Sequence, residues 1–349
     1  MRRRKVAVVT GASAGVGRAV ACEFAMKGYV IALIARGKKG LEAALQDVRE
    51  LGSDGMIIPL DVADYEAVEK AADDIEEQLG PIDVWVNNAM ISVFGNFLDV
   101  KPEDFKRVTE VSYLGFVHGT YAALRRMRLR NRGTIVQVSS SLAYRSIPLQ
   151  SAYCGAKHAI EGFTDSLRSE LIHDRSDVRL TTVQLPAINT PQFKWSANLM
   201  GVKSQPVPPI YQPEIAAKGI YFAAKQQLRN FRVGAMTDLI IKSSLLAPRI
   251  GDLYLAKNGI KDQQTGEALP KSYRDNLWKP LDDQTDFGAH GDFDRVATQH
   301  SWHLWFSINK IKLFTIFGLA TAFVAYKKQT KNLPLPDLHQ ILQKSKKVA

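Results

Sequence analysis

Short apolar runs alternate with longer amphipathic segments through the first 190 residues of this 349-residue chain. The runs are almost continuously apolar, as in strands that are covered on both faces of a sheet. The segments between them, such as 40–51 and 65–79, carry apolar residues at helical spacing. This alternation predicts an α/β fold with a doubly wound parallel sheet. The predicted strands are 5–10, 30–35, 56–60, 83–87, 133–139 and 178–185.

The pattern changes beyond the last of these strands. The segment 186–212 is rich in proline and has few periodic positions, so we predict a substrate loop there. We assign 1–250, including this loop, to a nucleotide-binding domain and 251–300 to a polar connector. The end of the chain is predicted as a hydrophobic helix at 301–326 and a basic tail at 327–349.

The net charge of +11 at pH 7 is concentrated at the two ends of the chain. The basic residues of 2–5 and the eight lysines of 301–349, less the single acid Asp337, account for all of it. The neutral body argues against a nucleic-acid-binding face, so no nucleic acid partner is predicted. Basic ends suggest attraction to an anionic membrane surface, with solvated termini as the alternative.

The cysteine content and the first residues indicate in which cellular compartment the domain is expected. Cys22 and Cys154, both in predicted helices, provide neither a disulfide framework nor a zinc set, which fits a reducing compartment. His300 and His303 have no third ligand nearby in sequence, so no metal site is predicted. The opening MRRRK runs directly into VAVVTGASAGVG, whose glycines break any signal-peptide core. We therefore expect a cytoplasmic domain.

The first predicted strand runs into the glycine-rich stretch TGASAGVG (10–17), after which a helix begins. Glycines at such a turn let the backbone approach a pyrophosphate, which binds the free amides of the helix N-terminus. A merely tight strand–helix turn is the alternative. A second strand about twenty residues on favours a dinucleotide site in a Rossmann fold. The predicted cofactor contacts here are Gly11, Ser13, Gly15, Val16 and Gly17.

The ends of the second and third strands suggest which dinucleotide binds. Arg36 stands where an acid would bond the ribose 2′-hydroxyl of NAD, and an arginine suits the 2′-phosphate of NADP. With Lys38 and Lys39 nearby, we predict NADP as the cofactor; a solvated strand-end charge is the alternative. Asp61 is placed to accept a hydrogen bond from the adenine amino group, or else to cap the next helix.

A tyrosine and a lysine stand four residues apart twice, at Tyr153–Lys157 and at Tyr221–Lys225. A chain of this length contains such a pair about once by chance, so the surroundings must decide. The stretches TGASAGVG, LDV (60–62), NNA (87–89), VSSS (138–141) and YCGAK resemble the short-chain dehydrogenase/reductase family over roughly residues 5–240.

In that family the active-site serine lies thirteen residues before the tyrosine, which gives Ser140 for Tyr153 but Pro208 for Tyr221. The resemblance therefore implies Ser140, Tyr153 and Lys157 as catalytic residues, and a helix-surface role for the second pair. It also implies that Lys157 holds the nicotinamide ribose. The remaining cofactor contacts implied are Val62, Asn88, Tyr153, Ile188 and Thr190.

The chemistry of the trio can be stated from the residues themselves. Reduction of a carbonyl by hydride leaves an alkoxide that needs a proton, and a phenol with a pKa of about 10 is a poor acid or base at neutral pH. Lys157, one helical turn from Tyr153, supplies a nearby cation. Ser140, at the end of the neighbouring strand, is placed to polarise the substrate oxygen.

Two positions depart from the family pattern. Ser112 replaces an asparagine whose helix distortion supports a water leading to the lysine, and Met90 replaces a glycine beside the cofactor. A serine also disturbs a helix by bonding back to a carbonyl, so we predict a weakened proton relay through Ser112. These departures motivate an alternative function, a non-catalytic NADP-binding sensor or scaffold. Ala187 also replaces the glycine of a family P-G-x-x-x-T motif.

The predicted function is hydride transfer between NADP(H) and an alcohol or carbonyl group of a small molecule. The loop 186–212, with Phe193, Trp195 and Tyr211, is predicted to cover an apolar substrate, although structural packing of these rings explains them equally well. The resemblance further implies a homo-oligomer formed through the helices around 102–129 and 150–174.

The stretch LFTIFGLATAFVAY (313–326) is apolar around its whole circumference, which favours lipid or a deep groove. It is shorter than the ~20 residues that span a bilayer. A single crossing would also export the basic tail, against the positive-inside tendency. We therefore expect shallow or re-entrant attachment of 302–331 to a membrane surface, with docking across a dimer partner as the alternative.

Overall fold

The computed structural model of this chain describes residues 3–331, so that residues 332–349 of the predicted basic tail lie outside the described residues. Seven parallel strands form the central sheet, in the order β7-β6-β5-β4-β1-β2-β3. The strands are β1 (Val6–Thr10), β2 (Val30–Ala35), β3 (Gly55–Pro59), β4 (Ile82–Asn87), β5 (Thr134–Ser140), β6 (Arg179–Leu185) and β7 (Asn230–Arg232).

Helices cover both faces of the sheet, which confirms the predicted doubly wound Rossmann fold. The helices are α1 (Gly15–Met26), α2 (Lys38–Glu50), α3 (Tyr65–Leu79), α4 (Pro102–Thr109), α5 (Gly115–Leu129), α6 (Ser151–His173), α7 (Pro213–Gln226), α8 (Ala235–Leu246), α9 (Pro248–Asn258) and α10 (Trp302–Lys331).

The continuous apolar character of the strands follows from burial on both faces. Side chains alternate along a strand, so Ala7 and Val9 enter one apolar layer while Val6 and Val8 enter the other. The first layer includes Phe24 of α1, Leu41 of α2 and Ile220 of α7. The second includes Ile75 of α3, Trp85 of β4 and Met127 of α5.

The strand order changes direction between β1 and β4. From β1 the chain adds β2 and β3 on one side, and from β4 it adds β5, β6 and β7 on the other. Ligands of open α/β sheets bind beyond the carboxyl ends of the strands at such a switch point. The ends of β1 and β4 therefore mark where a ligand site is expected.

Short elements surround this edge of the sheet. Three strand pairs are Val93–Phe94 with Ala197–Asn198, Ala187–Ile188 with Ile210–Tyr211, and Val202–Ser204 with Gln264–Ala268. Single helical turns occupy Phe97–Asp99, Ser141–Ala143, Gln192–Trp195 and Lys261–Gln263, and a π-helical segment, Glu110–Leu114, joins α4 to α5.

The segment predicted as a polar connector, 251–300, packs against the body of the fold. The boundary predicted at 250 falls inside α9. Residues 270–298, which we call the strap, cross the carboxyl edge of the sheet. Gly15 donates its amide to the Gly288 carbonyl (3.1 Å), and Gly40 donates to the Asp282 carbonyl (2.9 Å).

Helix α10 includes the predicted hydrophobic helix and extends to Lys331. Its residue Leu304 is buried in the first apolar layer, whereas the chain from Trp305 onward forms a separate unit. Among the described residues, no helix combines the length and the apolar character that a membrane crossing requires.

Candidate active site

A cavity of about 740 Å³ lies at the switch point. It is bounded by the glycine-rich loop, the carboxyl ends of the strands, helix α6, helices α8 and α9, and the strap. Gly17 and Ser112 are the predicted site residues that do not line it. Those that do are Gly11, Ser13, Gly15, Val16, Arg36, Asp61, Val62, Asn88, Ser140, Tyr153, Lys157, Ile188 and Thr190.

The glycine-rich loop packs so closely against its neighbours that Gly11 and Gly17 leave no room for a side chain. Gly11 has a φ of 66°, and a Cβ there would lie 2.8 Å from the Ala89 Cα. At Gly17 a Cβ would lie 2.0 Å from the Gly11 carbonyl oxygen, so this glycine serves the packing of α1 on the loop. Helix α1 has no side-chain cap at its N-terminus. Apart from the Gly15 amide, which bonds the Gly288 carbonyl, the loop therefore presents backbone and helix-terminal amides to the cavity, an arrangement that fits a pyrophosphate.

The loop is braced by the end of β4. Asn88 donates its side-chain amide to the Thr10 carbonyl (3.0 Å), and the Thr10 hydroxyl accepts from the backbone amides of Asn88 (2.9 Å) and Ala89 (3.1 Å). The Asn88 side chain thus acts mainly in holding β1 and β4 together at the switch point.

Charged groups crowd the edge formed by β2 and β3. Arg36 donates to the carbonyl oxygens of Asn276 and Leu277 on the strap. Asp61 accepts from the Ala63 amide (3.0 Å) and pairs with Arg107. The N-cap of α3 is a different residue, Asp64, so the capping role considered for Asp61 is not the one it has.

Ser140, Tyr153 and Lys157 meet on the wall of the cavity. Ser140 ends β5, and its hydroxyl accepts from the Leu142 amide (3.1 Å) and lies close enough to the Tyr153 phenol to oppose the rise of that phenol's pKa. The Lys157 Nζ lies 5.5 Å from the centre of the Tyr153 ring and donates to the Val138 carbonyl (2.8 Å). The spacing of one helical turn brings the tyrosine and lysine to the same face of α6, as predicted.

Burial acts on both titratable groups of the trio. It raises the pKa of the Tyr153 phenol, with the Ser140 hydrogen bond opposing. Burial lowers the pKa of Lys157 to about 7, with the negative charge of Glu161 opposing. The Lys157 Nζ also lies 4.6 Å from the centre of the Phe116 ring, which replaces water with an apolar surface. In the protein alone, the cation expected beside the phenol is therefore only partly present at neutral pH.

This burial predicts a pH dependence of stability. Lys157 has a folded pKa of about 7, below its unfolded value of about 10.5, so the unfolded chain holds more protons between these values. The stability contributed by Lys157 therefore rises with pH above 7. Between pH 7 and 8.5 we expect the free energy of unfolding of the ligand-free protein to rise by about 1–2 kcal/mol relative to Lys157→Met. Urea unfolding of both proteins measures this difference, and parallel pH profiles would contradict it.

The hydrogen bonds of Ser112 bear on the weakened proton relay that was predicted through it. It lies in the π-helical segment Glu110–Leu114, so the helix is distorted here. The fully buried Ser112 hydroxyl donates to the Ile91 carbonyl (2.8 Å) and accepts from the Ile91 amide (3.0 Å). It therefore bonds across to the loop after β4 instead of back into its own helix. Met90, in the same loop, lines the cavity.

The second tyrosine–lysine pair lies elsewhere. Tyr221, on α7, packs edge-on against Phe24, with ring centres 5.2 Å apart, and Lys27 lies over its ring. Neither Tyr221 nor Lys225 lines the cavity. The pair belongs to the packing of α7 on α1.

Several cavity residues were not anticipated from the sequence. They come from 235–298, a stretch assigned in part to a connector because its polar, turn-rich composition shows no periodicity. Only the three-dimensional packing brings them to the site. Those of 235–298 include Met236, Ile240, Tyr254, Gln263, Asn276 and Asp282, and Arg145, from the segment after β5, is a further unanticipated cavity residue.

Comparison with known proteins identifies the family. Residues 5–198 match the model described as short chain dehydrogenase. The chain belongs to the short-chain dehydrogenase family. As a member, it is an oxidoreductase that uses a nicotinamide nucleotide and acts on a small molecule.

Relatives of this short-chain dehydrogenase include the uncharacterized oxidoreductase YxnA of Bacillus subtilis, 34% identical over 257 residues, or 72% of each chain. A dehydrogenase/reductase SDR family protein 7-like of Anopheles gambiae is 38% identical over 53% of this chain and 60% of the relative. A solved short-chain dehydrogenase from Streptomyces avermitilis superposes with a TM-score of 0.63 at 26% identity, covering 74% of this chain and 97% of its own.

Proposed function

We propose that this short-chain dehydrogenase transfers a hydride between a nicotinamide dinucleotide and an alcohol or carbonyl group of an apolar small molecule. The observation that carries the proposal is the meeting of Ser140, Tyr153 and Lys157 on the wall of a cavity that the glycine-rich loop also lines. Proton transfer and dinucleotide binding thereby share one site.

Each member of the trio has a distinct role in this proposal. The bound nicotinamide supplies or accepts the hydride. Tyr153 gives a proton to the substrate oxygen during reduction and takes it back during oxidation. Ser140 holds that oxygen beside the phenol. Lys157 stabilises the phenolate when it is itself protonated, which the Glu161 charge favours.

The walls of the cavity support an apolar, uncharged substrate. Ile147, Val207, Ile240 and Leu255 line it beyond the trio. The guanidinium of Arg145 also lines this part but is already paired with Asp252. Because a carboxylate substrate would have to compete for that arginine, an uncharged aldehyde, ketone or alcohol is favoured.

For the choice between dinucleotides, the charge of Arg36 taken alone favours NADP(H), which is the choice that the sequence predicts. The place of Arg36 on the cavity wall supports that choice, and Lys38 and Lys39 lie exposed beside it. Its guanidinium already donates to two strap carbonyl oxygens, so it binds a phosphate only by giving up these bonds. The ratio of the NADPH and NADH dissociation constants tests the choice.

The experiment that tests the function is a screen for hydride transfer. Purified protein is incubated with NADPH or NADH and a panel of apolar aldehydes and ketones, and with the oxidised dinucleotides and the matching alcohols. A fall in the absorbance of the reduced nicotinamide with an aldehyde or ketone, or a rise with an alcohol, supports the oxidoreductase function. Dinucleotide binding without turnover of any compound would favour the sensor or scaffold function. Met90, which lines the cavity, is the residue that motivates this alternative.

Membrane attachment through 302–331 remains a proposal. Apolar side chains on α10 are exposed, among them Leu319 (67%) and Val324 (65%). We expect the protein to co-sediment with phosphatidylserine-rich vesicles, and the double change Leu319→Glu with Val324→Glu to abolish this. Lys218→Glu, a charge change on α7, is the matched control and should leave binding unchanged. No sedimentation with any vesicle would reject attachment.

Self-association also remains a proposal. Exposed apolar side chains on the two helices predicted to pair, α5 and α6, include Leu129 (90%) and Ile172 (69%). Their burial against a second copy would remove apolar surface from water. Light scattering at micromolar concentration should give a mass above that of one chain, and replacing both residues with glutamate should lower it. A single-chain mass for the unmodified protein would contradict the proposal.

A further inference from the structure

Asp282, on the strap, is a buried acid that the proposed chemistry does not use. It is 7% exposed and lines the cavity at the edge formed by β2. Its backbone carbonyl accepts from the Gly40 amide, but its carboxylate forms no hydrogen bond or close ion pair with the groups that the structure describes. Because the carboxylate lines the cavity without a described protein donor, a ligand that brings a donor can form a hydrogen bond with it there.

The sequence around Arg36 makes room for this carboxylate. A Cβ on Gly37 would lie 2.0 Å from one carboxylate oxygen of Asp282, and a Cβ on Gly40 would lie 3.0 Å from the other. Any other residue at Gly37 would force the strap outward. The start of α2 is therefore shaped to accept an acidic side chain from a distant part of the chain.

The end of the second strand is where a dinucleotide-binding fold distinguishes NAD from NADP. An acid beside the end of the second strand bonds the ribose hydroxyl of NAD, and a cation there suits the phosphate of NADP. Arg36 has the right charge for NADP, but strap carbonyls take its donors. Asp282 is close enough for its negative charge to act on Arg36.

We propose that Asp282 is the residue that determines cofactor choice, by accepting a hydrogen bond from the ribose 2′-hydroxyl of NAD(H) and repelling the 2′-phosphate of NADP(H). The acid that usually ends the second strand is here supplied by the strap. This inference rests on the proposed dinucleotide site, and it reverses the preference that Arg36 alone predicts. A buried carboxylate and a phosphate cannot share one place without a large electrostatic cost.

Dissociation constants for NADH and NADPH, measured by fluorescence titration, test the proposal. The unmodified protein should bind NADH at least about tenfold more tightly than NADPH. Asp282→Asn keeps the shape but removes the charge, and it should tighten NADPH binding at least about tenfold while weakening NADH binding. Adding Arg36→Ala to Asp282→Asn should reverse the gain for NADPH. In Asp282→Asn the phosphate can approach Arg36 and be stabilised by its positive charge, and Arg36→Ala removes that charge.

A second acid on the strap provides the matched control. Asp286 pairs with Arg18 and does not line the cavity, so Asp286→Asn loosens the strap without changing the charge at Gly37. It should change the affinities for NADH and NADPH by the same factor. An unchanged NADH to NADPH ratio in Asp282→Asn, or tighter NADPH binding by the unmodified protein, would overturn the inference and leave the oxidoreductase proposal intact. Binding of neither dinucleotide by any of these proteins would overturn both.

Discussion

Tyr153→Phe is expected to lower the rate of hydride transfer by about a thousandfold or more while leaving dinucleotide affinity within about threefold. The change removes one hydroxyl, which lies on the cavity wall near Ser140, and Tyr153 is one helical turn from Lys157. General acid–base catalysis contributes about 10²–10⁴ to the rate, so the loss of the phenol removes a contribution of this size. Single-turnover rates with a substrate from the panel measure the effect.

The chain contains its own control for this experiment. Tyr221 has a lysine at the same spacing, but it lies in the packing of α7 on α1. Tyr221→Phe should therefore leave the rate within about twofold. If Tyr153→Phe turned over substrate as fast as the unmodified protein, the phenol would not be the proton donor, and the trio would have to be abandoned as the catalytic site.

Gly17→Ala is expected to destabilise the fold by about 3 kcal/mol or more and to abolish dinucleotide binding. The new Cβ would lie 2.0 Å from the Gly11 carbonyl oxygen and 2.6 Å from the Asn88 side-chain nitrogen. Both neighbours belong to the braced turn at the switch point, so α1 must move away from the loop. Overpacking against fixed backbone costs about 1–3 kcal/mol or more. For a chain of this length, a loss of about 3 kcal/mol lowers the thermal midpoint by about 4–5 °C.

Gly162→Ala is the matched substitution. Gly162 lies on α6, and a Cβ there would meet no other atom within 4 Å. Because alanine is the better helix former, this variant should be as stable as the unmodified protein or about 1 kcal/mol more stable. Thermal unfolding followed by circular dichroism, with NADH titration of each protein, compares the two. Equal midpoints for Gly17→Ala and Gly162→Ala would show that the loop tolerates a side chain.

The parallel sheet was predictable because its strands carry a strong local signal. Strands buried on both faces are almost continuously apolar, and the first six were placed within about two residues of their positions in the structure. The placement of Ser140, Tyr153 and Lys157 on one cavity wall was predictable for a similar reason, while their catalytic roles stay a prediction. The Tyr153–Lys157 spacing is set by one helical turn, and Ser140 follows from where β5 ends.

The strap was not predictable, because its position depends on contacts between residues far apart in the chain. Its sequence is polar and shows neither the strand nor the helix period, so it predicts an exposed connector. The packing of Asp282 against Gly37 has no counterpart in any local pattern. Ser112 is an intermediate case. The distorted helix was anticipated, whereas the bonds to Ile91 depend on how two separate segments pack.

The strap also affects the order in which parts of the protein fold. Arg18 and Asp286 are 268 positions apart, and Arg36 and Asn276 are 240 apart. Closing loops of this length is slow compared with pairing neighbouring strands and helices. During synthesis the N-terminal part of a chain emerges and folds first. The sheet can therefore assemble while the last part of the chain is still being made, and the ribose edge of the cavity is completed only when residues 276–286 have left the ribosome and docked.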